Sequence, residues 1–570
     1  MDIKEQANFI WSIADLLRGN FKQSEYGKVI LPFTVLRRFD CVLAPSKEEI
    51  LERNKSLAVS NKAPIFKKYT GHDYYNVSKF DFEKLIDDSN NIDTNLKDYI
   101  NGFSDDVKEI LDNFEIATII EKLKKAGLLY LVVQKFSEIN LGADTIDNLE
   151  MGYMFEELIR KFSEQSNETA GEHFTPREVI ELMVEVLLDT DLDEITTTDG
   201  KVITILDPAC GTGGMLSIAQ NKIRALNSRT TVVPFGQELN PETYATCKSD
   251  MILKNNTNSK IVFGNSFSED GFREQKFDYI LSNPPFGVEW KKVKNFIENE
   301  SKHKGYDGRF GAGTPRISDG SLLFLQHMIS KMQPIEKGGS RIGIVFNGSP
   351  LFTGDAGSGE SEIRKWIIEK DLLEAVIGLP DQLFYNTGIS TYVWILTNRK
   401  TDRRKGKIRL INGTSFFGKM RKSLGNKRNE ITESDRKEIV RLYSTYEHDE
   451  NYIDFDNDDF GYRKITIERP LYDENREIVV EKGNPKPNSK LRDTETVPFK
   501  EDIHEYFKRE VLPHVPDAWI DEKKTKIGYE IPFTRHFYKF TPLRESSVIL
   551  DEIKQLEEKI QKSLNELFKG

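Results

Sequence analysis

The sequence predicts an α/β protein in three parts. A helical domain over residues 1–145 precedes a mostly parallel sheet with helices on both faces over 146–400, and a basic, loop-rich extension over 401–545 ends in a coiled-coil-like helix at 546–570. Three observations carry this reading. Between 146 and 400, short β-branched runs alternate with apolar segments of helical period, the pattern of parallel strands joined by crossover helices. Residues 1–145 read as helical, with apolar clusters at Ile30, Leu31, Phe33, Val35, Leu36 and Phe39 and again from Leu128 to Val133. After Ser546, the residues Ile549, Ile553, Leu556, Ile560, Leu564 and Leu567 recur by fours and threes between Glu, Lys and Gln, which makes a narrow seam.

Composition sets the outer bounds. At 570 residues the chain exceeds what one core usually serves, so two or three domains are expected. Charged residues make up 30% of it, and no apolar run approaches the ~18 residues that would suggest a membrane span. The start, Met1-Asp2-Ile3-Lys4-Glu5, is charged and leads into an amphipathic pattern (Phe9, Ile13, Leu16, Leu17), unlike a secretory signal; a cytoplasmic protein is expected. Cys41, Cys210 and Cys247 are scattered and odd in number, which predicts neither a disulfide framework nor a metal site.

The elements of the middle part follow in order. Val202–Leu206 is a strand that opens into Asp207-Pro208-Ala209-Cys210-Gly211-Thr212-Gly213-Gly214, and a helix carrying Met215, Leu216, Ile218, Ala219 and Ile223 follows. Strand, glycine turn and helix let a nucleotide-like ligand approach the backbone closely. The spacing is not G-x-G-x-x-G and no phosphate-binding Lys follows, which argues against a dinucleotide. The second strand, Thr231–Gln237, ends at Glu238, a carboxylate at the position that accepts from ribose hydroxyls. The third, Lys260–Phe263, ends in Gly264-Asn265-Ser266, where Asn265 is set to read an adenine edge. The fourth, Phe277–Ser282, delivers Asn283-Pro284-Pro285-Phe286, and later strands are expected at Arg341–Phe346, Leu373–Ile377 and Thr391–Leu396. Between these later strands, Thr353–Ser361 is a small, polar, glycine-rich connection.

The tetrapeptide at 283–286 has the chemistry of an amino-methylation lip. An exocyclic amine is a poor nucleophile because its lone pair is delocalised into the ring. An Asn oxygen and the carbonyl of the following Pro can each accept one N–H, which favours a pyramidal nitrogen and frees the lone pair. Two prolines keep those acceptors fixed, and an aromatic ring offers a flat face to a flat substrate. Taken alone, the same residues also read as a Pro-Pro turn after a buried strand. Cys210 follows Ala and lacks a Pro-Cys setting, which argues against methylation at carbon. Joined to the glycine loop, Glu238 and Asn265, the lip specifies S-adenosylmethionine and a planar nitrogen.

Three further segments carry alternative readings. Thr175-Pro176-Arg177-Glu178 is a capping box, with Thr175 as N-cap and Glu178 reaching back. Gly413–Met420 matches G-x-x-x-x-G-K but ends in Met420, which cannot ligate magnesium, so no nucleotide-triphosphate loop is expected. The net charge of −11 opposes DNA binding, yet from Arg399 to Arg428 twelve Lys or Arg stand against Asp402 alone. That run is either a solvated face or a grip on nucleic acid.

The DPACGTGG loop followed by NPPF resembles the amino-methyltransferases of DNA. Gly171–Arg177 (GEHFTPR), Ser318–Gln326 (SDGSLLFLQ), Ile377–Pro380 (IGLP), Trp11–Gly19 (WSIADLLRG) and Asp459–Arg463 (DFGYR) narrow the likeness to the modification (M) subunit of type I restriction-modification systems, over most of the chain. The resemblance implies a Rossmann-like domain that transfers a methyl group from S-adenosyl-L-methionine to adenine N6 in DNA. It implies catalysis by Asn283, Pro284, Pro285 and Phe286, and a cofactor site of Glu172, His173, Phe174, Thr175, Pro176, Arg177, Asp207, Gly211, Thr212, Gly213, Glu238 and Asn265. Phe174 and Thr175 would line the methionine end. The implied partners are double-stranded DNA with a flipped adenine, a specificity (S) subunit on the carboxyl-terminal helix, a second M subunit and a restriction (R) subunit. Cytosine N4, RNA or a protein glutamine remain alternative acceptors, as does a stand-alone DNA methyltransferase.

Overall fold

The computed structural model describes residues 3–57, 61–166, 175–254, 256, 258–385, 388–424, 426–538 and 545–567. Two compact units are present, Met1–Ile531 and Pro532–Gly570.

The larger unit begins with helices. Tyr26–Leu43 is buried along Val29, Ile30, Phe33, Val35, Leu36 and Phe39, and packs against Ile3–Leu17, Leu129–Ser137 and Asn148–Ser166. Inside this bundle the two terminal nitrogens of the buried Arg38 guanidinium donate to the carbonyls of Leu141 and Ile146 and to Asn148 Oδ1, pinning the chain as it enters the Asn148–Ser166 helix.

A mixed sheet follows. Its strands are β1 (Val202–Asp207), β2 (Thr231–Glu238), β3 (Lys260–Phe263), β4 (Tyr279–Ser282), β5 (Arg341–Asn347), β6 (Leu373–Gly378), β7 (Thr391–Thr397), β8 (Lys407–Asn412) and, after a hairpin of β9 (Gly418–Leu424) and β10 (Lys427–Glu430), β11 (Tyr452–Asp456). The nine-stranded order is β11-β8-β6-β7-β5-β4-β1-β2-β3. Strands β3, β2, β1, β4 and β5 are mutually parallel, and β6 runs parallel to β8. Strand β7 is antiparallel to both β5 and β6, so those two point the same way and the carboxyl ends of β1 to β6 and β8 share one edge. Pairing Leu206 with both Phe235 and Ile280 brings Asp207 and Ser282 together at that edge.

The seven strands expected from sequence are all present, but the sheet continues past residue 400, where the sequence reading closed it. β8 and β11 were hidden by charge. Arg409 lies inside β8 yet is buried, because its guanidinium pairs with Asp454 of β11 at 2.7 Å and donates to the carbonyls of Leu442 and Tyr443. The helices Arg177–Asp189, Gly214–Leu226 and Glu433–Ser444 pack together against the sheet. Pro241–Leu253 joins it to the amino-terminal helices, where the Glu109 carboxylate accepts from Tyr244 Oη and Lys248 Nζ, each at 2.7 Å. In the glycine-rich connection, Asp355 pairs with Lys464 at 2.6 Å and Ser358 caps the Gly359–Glu369 helix. Beyond β11, the strand Gly461–Glu468 pairs antiparallel with Asp493–Pro498, Trp519–Ile520 and Lys526–Tyr529 in a small separate sheet.

The smaller unit holds the helices Phe533–Phe537 and Ser546–Leu567. On the second, Ile549, Ile553, Leu556, Ile560 and Leu564 are all exposed, from 42% to 59%. Among the described residues no helix is long and apolar enough to cross a membrane.

Candidate functional site

The site is built at the carboxyl edge of the sheet, where loops after β1, β2, β3 and β4 meet. β1 ends in Asp207, whose Oδ1 accepts from the Ala209 N–H at 3.0 Å and from Ser282 Oγ at 2.9 Å, so one carboxyl group ties the glycine loop to the end of β4. Burial pushes this carboxyl up to about 7, against the two donors that favour the ionised form. Gly211 sits at φ +55 and Gly213 at φ +84, left-handed backbone that suits glycine. The two differ in surroundings. A Cβ on Gly211 would meet nothing within 4 Å, whereas one on Gly213 would lie 2.7 Å from Cys247 Sγ. Gly211 therefore borders open space, and Gly213 is required by close packing on the Pro241–Leu253 helix.

Glu238, at the end of β2, accepts the Gly211 N–H at 2.9 Å and the Asn240 N–H at 2.7 Å, so it holds the loop from the side. After β3, Asn265 Oδ1 accepts from the N–H groups of Phe267 and Ser268 at 2.9 and 3.2 Å. Its oxygen is thus engaged by its own turn, which leaves the amide NH2 as the part of the side chain able to donate elsewhere. Ser266 Oγ donates to the Pro208 carbonyl at 2.5 Å and closes the circle.

The lip itself is oriented by one hydrogen bond. Asn283 Nδ2 donates to Thr175 Oγ1 at 2.9 Å. The other end of the same carboxamide, Oδ1, is buried and has no partner among the described residues. A buried oxygen left without a donor costs about 1–3 kcal/mol, so such a group calls for an explanation. The Pro284 carbonyl beside it takes no backbone donor among the described residues.

Residues 147–460 match the N-6 DNA methylase family, and residues 6–136 match the HsdM N-terminal domain. The chain belongs to the N-6 DNA methylase family. A type I restriction enzyme MjaIX methylase subunit of Methanocaldococcus jannaschii is 26% identical over 487 residues, 81% of this chain and 80% of the relative. The HindI methylase subunit of Haemophilus influenzae is 31% identical over 280 residues, 48% of this chain and 55% of the relative. Among solved structures, a type I restriction-modification methyltransferase subunit from Streptococcus thermophilus superposes with a TM-score of 0.65 at 22% identity, covering 81% of this chain and 97% of that one. A chain from a type I restriction-modification assembly covers 98% of this chain and 97% of its own at a TM-score of 0.52 and 19% identity. These structures share the fold. The resemblance carried by the sequence motifs is borne out.

In this N-6 DNA methylase, Thr175, Asp207, Gly211, Glu238 and Asn283 fall into one chain of contacts, and Asn265 joins it through its neighbour Ser266. Thr212 is half-buried between the two glycines. Glu172, His173 and Phe174 lie outside the described residues. Arg177 turns to its own helix, 3.2 Å from Glu181, and lies over the Tyr153 ring. Pro284 is buried and Pro285 half-buried, while Phe286 is only 9% exposed and joins the main core, so its ring is largely covered.

The capping box expected at 175–178 is not formed. The helix begins at Arg177 with Pro176 as N-cap and no side-chain cap. Thr175 Oγ1 accepts from Asn283 Nδ2, and Glu178 pairs with Lys427, a buried ammonium that needs a counter-charge more than a solvated helix end needs a cap. A brace that sequence reading missed lies behind the β3 loop. Arg309 donates to the carbonyls of Ser266 and Phe267 at 3.0 and 2.6 Å and to Glu300 at 2.7 Å. Beside it His327 is buried, and desolvation helped by Lys331 pulls its pKa down to about 3, so the ring stays neutral. Nothing local in the sequence pairs these residues.

Proposed function

We propose that this chain transfers a methyl group from S-adenosyl-L-methionine to N6 of adenine in DNA, as the modification subunit of a type I restriction-modification assembly. The observation that carries the proposal is the Asn283 carboxamide. Its NH2 is held by Thr175, and its buried oxygen lacks a donor among the described residues. A planar amine bringing two N–H groups would satisfy that oxygen and the Pro284 carbonyl together. Accepting both N–H bonds draws the nitrogen toward a pyramidal shape and frees its lone pair.

The residues present fit the cofactor. Gly211 borders open space at the loop, Glu238 offers a carboxylate at the end of β2 that would accept from ribose hydroxyls, and Asn265 keeps an amide NH2 that would donate to a purine edge. When bound, the cofactor supplies an electrophilic methyl group on a sulfonium. The chain needs no strong base for the step, because the amine nitrogen becomes acidic only once alkylated. Asp207 holds Ser282, and through it the lip, at a fixed height against the loop. In duplex DNA N6 lies on the Watson–Crick edge, so the base must leave the stack at a cost of a few kcal/mol. Phe286 is assigned to stack on that base; because its ring is covered, contact requires a shift of the lip.

The relatives named as subunits of type I restriction enzymes support an assembled state, with a specificity subunit on the exposed apolar stripe of Ser546–Leu567, a second copy of this chain and a restriction subunit. The test is Asn283→Ala, which should retain cofactor binding by calorimetry and lose methyl transfer to DNA. Unchanged turnover removes the assignment. Nucleoside analysis of the parent's product separates N6-methyladenine from N4-methylcytosine, and methylated RNA or protein would redirect it.

A further inference from the structure

Of the twelve basic residues from Arg399 to Arg428, the eleven whose side chains are described fall into three groups with different fates. One group is internal. Arg399 pairs with Asp191 at 2.6 Å, Lys400 with Asp371 at 2.6 Å and Arg409 with Asp454 at 2.7 Å, while Arg404 bonds the Tyr443 carbonyl and Lys427 bonds Glu178. A second group, Arg403, Lys405 and Lys407, is exposed where the chain enters β8, at the edge opposite the site. The third group is exposed on the β9–β10 hairpin. It consists of Lys419, Arg421 and Arg428, none of which has an ion-pair partner among the described residues.

This hairpin leaves the carboxyl end of β8, the edge that carries Asn283. It is fastened there by backbone and buried contacts. Arg428 N donates to the Gln382 carbonyl at 2.9 Å, Asn426 N to the Tyr385 carbonyl at 2.7 Å, and Asn429 Nδ2 to the Asp381 carbonyl at 2.9 Å. Lys427, only 3% exposed, spans from Glu178 to the Leu383 carbonyl at 3.0 Å. Glu178 stands three residues after Thr175, which holds the lip, so the anchor lies at most ~10 Å of chain from the residue that orients Asn283. Burying an ammonium costs several kcal/mol unless it is paired, so the hairpin is held in place by the pair and does not drift with solvent.

We infer that the β9–β10 hairpin is a phosphate clamp that grips the DNA backbone beside the everted base, through Lys419, Arg421 and Arg428. The inference rests on the reading of Asn283 as the methylation lip and adds to it the surface that receives the strand. Lys419 and Arg421 alternate along β9 and project to one face of it, a spacing that suits successive backbone phosphates. Glu430 on the same hairpin and Asp381 beside it are exposed carboxylates, while Glu178 is taken up by Lys427. The charge of the whole chain is −11, so a duplex approaching the lip is repelled except where such a local excess meets it.

The experiment measures binding of the full-length chain to a labelled duplex by anisotropy, from about 50 to 200 mM salt. Each phosphate contact contributes about 0.9 to the slope of log affinity against log salt. The triple variant Lys419→Gln, Arg421→Gln, Arg428→Gln should lose roughly 2 to 3 units of slope and bind at least about tenfold more weakly near 0.1 M salt. A charge-matched triple, Arg403→Gln, Lys405→Gln, Lys407→Gln, should keep the parent slope. Cofactor affinity should be unchanged in both. Should the triple hairpin variant fail to fold, the single Lys419→Gln and Arg421→Gln variants should each lower the slope by about one. An unchanged slope in the hairpin variants, an equal loss in the opposite-edge control, or no measurable duplex binding by the parent overturns the clamp. Asn283→Ala should bind duplex with the parent slope, so failure of the lip and failure of the clamp appear in different variants.

Discussion

Asp207 offers a quantitative handle on the junction between the glycine loop and the lip. The residue is 2% exposed at the end of β1, and its carboxyl is pushed from 3.8 up to about 7, chiefly by loss of hydration, with Glu238 adding repulsion and the Ala209 and Ser282 donors opposing it. Between about pH 4 and pH 7 the folded chain therefore keeps a proton that the unfolded chain releases. Stability is highest below the unfolded value and falls as pH rises through the folded one, then levels off. A shift of about three units at 1.36 kcal/mol per unit gives a loss of roughly 4 kcal/mol as the upper bound. Asp207→Asn keeps an oxygen for the two donors and carries no charge, so its contribution is independent of pH. Urea midpoints of parent and variant, taken in steps from about pH 5 to pH 8, should diverge in favour of Asn as pH rises and run parallel above about 7. Curves that stay parallel throughout, or a gap that closes with rising pH, refute a protonated, desolvated Asp207.

Other expectations follow from the same geometry. Thr175→Val keeps the branched shape but removes the acceptor of Asn283 Nδ2, so turnover should fall by about ten- to a hundredfold with the KM for DNA retained, and Thr175→Ser should restore it; a fully active Val variant excludes an orienting role. Gly211→Val should abolish cofactor binding in calorimetry, because the new side chain enters the open space beside the loop and φ +55 disfavours it by about 1–2 kcal/mol; retained affinity refutes the loop assignment. Removing residues 546–570, whose apolar stripe is exposed, should leave a chain that no longer co-purifies with its specificity partner, and intact assembly counts against that contact.

The local part of this protein is written in its consecutive residues. β1 to β7 were legible because each is a β-branched or aromatic run bounded by Gly, Pro or Asn, and the glycine loop and lip were legible because their chemistry is carried by consecutive residues. The tertiary structure decided whatever depends on a distant partner. Polarity read along a chain assumes that a charged or hydroxyl side chain faces water, and here several do not. Arg409 became part of a buried strand because Asp454 waits 45 residues on, and Lys427 became an anchor because Glu178, 249 residues away, neutralises it. Thr175 resembled a helix cap until Asn283, 108 residues away, claimed its hydroxyl. The basic run looked uniform in one dimension, and only folding separated its structural ions from exposed cations such as Lys419, Arg421 and Arg428. The physical reason is common to all four. Desolvating a polar group is unfavourable unless a partner compensates, and the position of that partner is a property of the fold.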